Sequence, residues 1–312
     1  MKIYETTINS HNLDQILERS RIEFLGINQA YPEFRLRFSL GIQDPVTELK
    51  YFELKAGSEV CASFHLVKKK LILSDQELPV CFLTQVIISP KYRGQGMSYE
   101  LEALAKREAI QNGMGVTFVI ARRAVKDLYA KLGFVGFSHF SKIKLKSIPD
   151  FKHFDLRAVS RPKTEDLTKL LDMYEQSYAN LKFHFKRSVD SFKCYLEMPN
   201  YEIKVSSDLS YYWISCLDRI VEVGMTENAK CDEVIAIIVN KGYKYLQLNR
   251  NHKIFQYAIS RGMHDLDRFE LREGHLLQVH KENLNISQHK ELDIFLEHPG
   301  VQYAEIPEID QW

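Results

Sequence analysis

The chain has 312 residues, with 42 Lys and Arg against 41 Asp and Glu, a net charge near +1, 45% hydrophobic residues and 27% charged ones. That length suits two domains of ordinary size, and the near-neutral balance excludes the broad basic face that a nucleic-acid partner requires. No apolar run is long enough to span a membrane, and the start Met1 to Glu5 lacks the apolar core of a signal peptide. The five cysteines (Cys61, Cys81, Cys194, Cys216, Cys231) are scattered without a C-x-x-C pair, which predicts reduced thiols in a cytoplasmic setting rather than disulfides or a metal site.

In chain order, Leu13, Ile16 and Leu17 share one helical face behind Asn12, a potential N-cap. Phe34, Leu36 and Phe38 alternate with Arg35 and Arg37, as on a half-buried strand. Strands follow over 50–54, 59–67 and 71–73, with Lys68, Lys69 and Lys70 predicted at a solvated hairpin end. Residues 79–89 are apolar on both faces, the mark of a central buried strand. A helix spans 96–111 and stops at Asn112-Gly113. A strand over 116–121, a helix over 123–132 closed by Gly133, and strands over 134–140 and 142–146 complete a mixed α/β half.

The most informative stretch joins the central strand to its helix: Val86-Ile-Ile-Ser-Pro-Lys-Tyr-Arg-Gly-Gln-Gly-Met-Ser98. A strand, a glycine loop and a helix N-terminus in succession gather backbone N–H groups around one small volume, which binds phosphate without a metal. Gly94 and Gly96 permit φ > 0 and close backbone approach, and Arg93 adds a fixed positive charge. The spacing fits neither a Walker A loop nor a dinucleotide fingerprint. Downstream stands Ala124-Val-Lys-Asp-Leu-Tyr-Ala-Lys-Leu-Gly-Phe134.

Together the two segments resemble the signature of the GNAT superfamily of acyl-CoA-dependent N-acetyltransferases, over roughly residues 45–145. The resemblance implies a mixed sheet flanked by helices and acetyl-CoA as acyl donor, with no metal. It implies that Val86, Ile87 and Ile88 offer main-chain groups to the pantetheine arm. Arg93, Gly94, Gln95, Gly96, Met97 and Ser98 would hold the pyrophosphate, and Tyr129 would protonate the leaving thiolate. Two departures are Ser98, where relatives carry Gly or Ala, and Arg122, where many carry Asn; Arg122 would reach a phosphate or face solvent. The carboxylate that many relatives place near the end of the central strand is missing, since that stretch reads Leu83-Thr84-Gln85. Glu53, Glu59 and His65 on the preceding strands are candidate bases or structural groups.

A break at Ser147-Ile-Pro-Asp150 predicts two domains, 1–148 and 149–312. Beyond it come helices over 167–174 and 185–196, strands over 201–205, 209–216 and 220–223, a helix over 227–239, a strand over 245–248 and a helix over 254–260. The order repeats the first half, but Gly224-Met-Thr-Glu227 offers no cradle, so the second half is predicted to be a degenerate copy, the alternative being an unrelated α+β domain. The basic-aromatic clusters at 151–154 and 182–186 are predicted to be packing rather than strand-binding sites. The expected partners are an acyl-CoA and an amine acceptor, small molecule or protein; a second expectation is an acyl-CoA-binding regulator without turnover. The residues leave oligomeric state open.

Overall fold

The structure, a computed structural model, is described over residues 2–23, 39, 42–73, 76–122, 126–137, 142–146, 159–181, 183–198, 201–248, 251–266, 275–281, 284, 285, 287, 288 and 290. The predicted features at 34–38 and 151–154 lie outside them. The chain forms two units, the first built chiefly from Met1–Ser138 and Leu271–Lys290, the second from His139–Glu270. The sequence predicts one cut near 148. The chain is instead divided near 138 and returns to the first unit at Leu271.

The first unit contains β1 (Lys2–Thr7), α1 (Leu13–Glu23), β2 (Glu48–Ala56), β3 (Glu59–Leu73), β4 (Gln76–Ile88), α2 (Met97–Gln111), β5 (Val116–Arg122), α3 (Lys126–Lys131) and β6 (Val135–Phe137). Its sheet runs β1-β2-β3-β4-β5, then a strand from far downstream, His275–Lys281, then β6. The meander β1 to β4 is antiparallel, and β4 meets β5 in parallel across the α2 crossover. His275–Lys281 runs antiparallel to both of its neighbours. One face is sealed by a core in which Phe52, Phe64 and Leu83 of the sheet meet Leu101 and Ala105 of α2 and Tyr129 of α3.

Two local expectations change. β1 has every residue exposed, so no burial alternation announces it. The three lysines sit inside β3 rather than at a hairpin end, with Lys68 opposite Cys81, Lys69 opposite Val80 and Lys70 opposite Pro79. Ion pairs hold two of them there: Lys68 Nζ lies 3.2 Å from Glu48, and Lys70 Nζ 2.6 Å from Glu77. The two predicted strands are therefore one of 15 residues.

The second unit contains β7 (Lys142–Lys144), β8 (Val159–Ser160), α4 (Leu167–Tyr178), the short β9 (Phe183–Phe185), α5 (Val189–Glu197), β10 (Tyr201–Ser206), β11 (Tyr211–Cys216), β12 (Arg219–Met225), α6 (Cys231–Asn240), β13 (Tyr245–Leu246), α7 (Lys253–Ser260) and β14 (His264–Leu266). Its sheet is ordered β14-β7-β13-β12-β11-β10-β8. The first unit's downstream strand is β15 (His275–Lys281). Ser188 caps α5 by accepting from the Ser191 N–H, and the His252 ring does the same for α7 at Ile254. β12 and β13 pair in parallel across α6, as β4 and β5 do across α2. The protein is thus mixed α/β with two mixed sheets.

Candidate active site

The end of β4 is where the first sheet opens. Its parallel pairing with β5 covers only Val80–Leu83 against Val116–Val119 and stops there. Just beyond, a bulge shifts the register on β3 between Ser63 and His65, and Gln85 takes a left-handed φ of 49°. A bulge bends its strand and increases the local twist: Thr84, Ile87 and Ile88 stay paired with β3, Gln85 and Val86 form the bulge, and the pairing with β5 does not reach any of them. Ile87 is buried, while Val86 and Ile88 are half-buried against the core.

The loop that follows is braced from below. A single 3-10 turn, Pro90–Tyr92, is tied to the start of β3 by Glu59, which accepts from Lys91 Nζ at 2.8 Å and from Tyr92 Oη at 2.9 Å. Lys91 first, then Tyr92, holds the Glu59 carboxyl below its ordinary range. Glu59 is therefore a brace for the loop. Arg93 Nε donates to the Ile88 carbonyl at 2.9 Å and Gln95 Nε2 to the Lys91 carbonyl at 3.1 Å, so both side chains fasten the loop to itself.

Gly94 and Gly96 have φ of 78° and 79°, and a Cβ at either would meet nothing within 4 Å. These glycines serve backbone conformation and leave open space above the loop. Gly96 is the N-cap of α2 and no side chain caps that helix. The first-turn N–H groups of a helix lack intrahelical partners and carry its positive dipole end. Met97 is buried and anchors the helix, while Ser98 is exposed. The residues 94–98 thus fit the pyrophosphate of an acyl-CoA.

Tyr129 lies in the last turn of α3, which Gly133 closes with φ of 83°. Its ring is buried, edge-on to Phe134 with centroids 5.3 Å apart. Its hydroxyl donates to Glu102 Oε1 of α2 at 2.6 Å. Burial pushes the Glu102 carboxyl up to about 7, against the hydrogen bond from Tyr129, which lowers it. Burial and the adjacent carboxylate push the Tyr129 phenol far above its ordinary range. Glu102 is absent from the sequence prediction. Its signal is positional: it sits three residues before Ala105 and seven before Ala109 on the buried flank of α2.

The other base candidates lie elsewhere. Glu53 pairs with Lys55 Nζ at 2.7 Å, and His65 packs against Tyr51 with ring centroids 4.8 Å apart. Burial pushes His65 down to about 3, so it is neutral near pH 7. Strand alternation puts Phe52 and Phe64 in the core with Tyr129, and their neighbours Glu53 and His65 stand outside that cluster. Arg122 ends β5 opposite His275.

At the matching place in the second unit the chemistry differs. After Ile220, the last β12 residue paired with β13, comes buried Glu222, ion-paired to Arg187 and accepting from Tyr212 Oη at 2.8 Å. Gly224 does not open a cradle, because a Cβ there would stand 2.0 Å from the Tyr212 ring. The helix α6 is capped by Lys230 without a side-chain bond, and no left-handed glycine precedes it.

No family model and no curated protein matches the sequence. Solved structures match by fold. A GCN5-related N-acetyltransferase from Kribbella flavida is 15% identical over 90% of this chain and 71% of its own, with a TM-score of 0.62. A probable N-acyltransferase from Enterococcus faecalis is 11% identical over 91% and 74%, with a TM-score of 0.61. A GCN5-related N-acetyltransferase from Anabaena variabilis is 11% identical over 92% and 74%, with a TM-score of 0.57. The chain has the fold of the GNAT superfamily. Among the described residues, no helix is long and apolar enough to cross a membrane.

Proposed function

We propose that the protein is an N-acyltransferase that moves an acetyl group from acetyl-CoA to an amine by direct attack. The observation that carries this is the open, left-handed Gly94–Gly96 loop at the uncapped N-terminus of α2, directly after the bulged end of β4. Backbone N–H groups of residues 94–98 hold the pyrophosphate, the main chain of Val86, Ile87 and Ile88, beyond the end of the β5 pairing, receives the pantetheine arm as an added strand, and Arg93, bonded to the Ile88 carbonyl, steadies the loop. Tyr129 donates its proton to the departing thiolate, so that the leaving group departs as a thiol. The five free cysteines fit a reducing, cytoplasmic setting.

Calorimetric titration with acetyl-CoA tests the cradle. One site per chain, lost in Gly96→Glu, is the expected result; no binding by the wild type defeats the proposal. Thiol release from acetyl-CoA across a panel of primary amines then tests turnover.

One observation favours a second reading, an acyl-CoA-binding regulator. Gln85, which cannot act as a base, stands where many relatives place a carboxylate, and Tyr129 already spends its hydrogen bond on Glu102. Tyr129→Phe separates the two. An enzyme loses most of its turnover while keeping its affinity for acetyl-CoA, whereas a regulator shows no turnover to lose.

A further inference from the structure

A buried phenol alone is a poor acid for this reaction. Giving up its proton would leave a tyrosinate inside the apolar core of Phe64, Leu101 and Phe134, and burial already pushes the Tyr129 phenol far above its ordinary range. An alkyl thiol has a pKa of about 8.5, so transfer from Tyr129 alone runs uphill. The hydroxyl is also committed to Glu102 Oε1, 2.6 Å away.

We infer that Glu102 is a neutral carboxylic acid that supplies Tyr129 with its proton, through their direct hydrogen bond, as Tyr129 protonates the leaving thiolate. This rests on the acid role of Tyr129 proposed above, and it makes Glu102 a positioning residue that acts through Tyr129. The step balances. The C–S bond breaks and the thiolate takes the Tyr129 hydroxyl proton to form S–H. The Tyr129 hydroxyl turns its proton from Glu102 Oε1 to the sulfur, its oxygen accepts the Glu102 proton across the same O···O contact, and Glu102 is left as a carboxylate that recovers a proton from water. The net transfer then runs from a group near 7 to a thiolate near 8.5, which is downhill.

The surroundings favour the neutral acid. Glu102 is 5% exposed, and its Oε2 is buried with no hydrogen-bond partner among the described residues, a position costlier for a carboxylate than for an acid. On its own helix, Lys106 Nζ donates to the Leu132 carbonyl at 2.8 Å. From α3 the facing group is Tyr129 itself. From β3 and β4 the same core receives Cys61 and Cys81, and burial keeps the Cys81 thiol neutral, pushed up to about 12. Tyr92, at the edge of that core, is bonded to Glu59. Burial is the larger influence on Glu102 and the Tyr129 hydrogen bond the smaller.

The test uses Glu102→Gln, which keeps a carbonyl acceptor for the Tyr129 hydroxyl but holds no acidic proton. Thiol release from acetyl-CoA is followed across pH with the fastest amine of the panel. The wild type is expected to lose kcat as pH rises through about 7. E102Q is expected to lose that limb and at least ~10-fold in kcat, with KM for acetyl-CoA within about twofold. A variant that keeps both kcat and the limb overturns the inference.

If no amine releases thiol, the enzyme proposal fails on its own, and infrared difference spectra judge Glu102. A protonated-carboxyl stretch in wild type minus E102Q, lost with a midpoint near 7, supports a neutral Glu102; no such band at about pH 5 to 6 overturns it. Should E102Q not fold, Tyr129→Phe removes the hydrogen bond and shifts the same band. A band that Y129F does not move also overturns the inference.

Discussion

Gln85 and Glu222 hold the same place in the two sheets: each is the second residue past the last parallel pair, Leu83 with Val119 in one unit and Ile220 with Leu246 in the other. The first unit has an amide beside an open cradle. The second has a carboxylate, but Arg187 neutralises it and Tyr212 donates to it, both buried. The second unit thus has, at this position, a buried polar tie between α5's preceding loop and β12.

That tie has a measurable cost when broken. Glu222→Gln leaves the Arg187 guanidinium buried without its counter-charge, with Tyr195 Oη, 3.1 Å from Nη1, as a neutral partner. Breaking one side of a buried ion pair costs about 3–5 kcal/mol. The expected outcome is a lower urea midpoint for the second unit, read by the fluorescence of Trp213, which lies in that unit's core. A midpoint unchanged from wild type would show that the pair contributes little.

Gly224 is confined in a different way from the cradle glycines. Tyr212 lies across it, its ring fixed by the hydroxyl's bond to Glu222 and by edge-on contact with Phe192 at 5.5 Å. Gly224→Ala must displace that ring, since the added Cβ would stand 2.0 Å from it. Overpacking of this kind costs about 1–3 kcal/mol, occasionally more. Thermal melts of G224A should fall by several degrees, and Gly224→Ala combined with Tyr212→Leu should recover part of the loss.

What could be read from the sequence was local. The loop at 89–98 and the helix end at Gly133 are written in consecutive residues, because left-handed glycines and a helix start need only their neighbours. The mixed α/β order and the repeat of the first half in the second follow the same way. The insertion of His275–Lys281 between β5 and β6 could not be read, because strand pairing across a whole intervening unit leaves no local trace. The lysines of β3 misled for a physical reason: ion pairs to Glu48 and Glu77 let Lys68 and Lys70 sit within a strand. Glu102 was visible only as a charge on a buried helical flank, and its meaning depends on Tyr129 arriving from another element.

The cradle glycines separate folding from binding. A Cβ at Gly96 meets nothing, so Gly96→Ala suffers only the left-handed backbone cost of about 1–2 kcal/mol. In the proposed complex the phosphate would fill that open space. Affinity for acetyl-CoA should therefore fall at least ~10-fold, about 1.4 kcal/mol, beyond what the stability loss explains. Calorimetry well below the melting temperature reads this directly. Equal affinity in G96A and wild type would place the pyrophosphate elsewhere.

Stability of the first unit should respond to pH from two sides. Glu102 is raised in the fold from 4.5 to about 7, so its contribution is fully present below about 4.5 and is lost as pH rises through 7. His65 is lowered from 6.5 to about 3, so its contribution is present above 6.5 and is lost as pH falls toward 3. Glu102→Gln removes the first dependence. The stability of E102Q relative to wild type should grow between about pH 4.5 and 7, to a plateau on the order of 3 kcal/mol. His65→Leu removes the second, and its difference from wild type should shift in the variant's favour as pH falls below 6.5, whatever constant cost comes from losing the Tyr51 contact. Urea unfolding at a series of pH values gives both differences. A flat E102Q difference across the neutral range would mean that Glu102 is ionised in the folded protein throughout, and the proton supply to Tyr129 would fall with it.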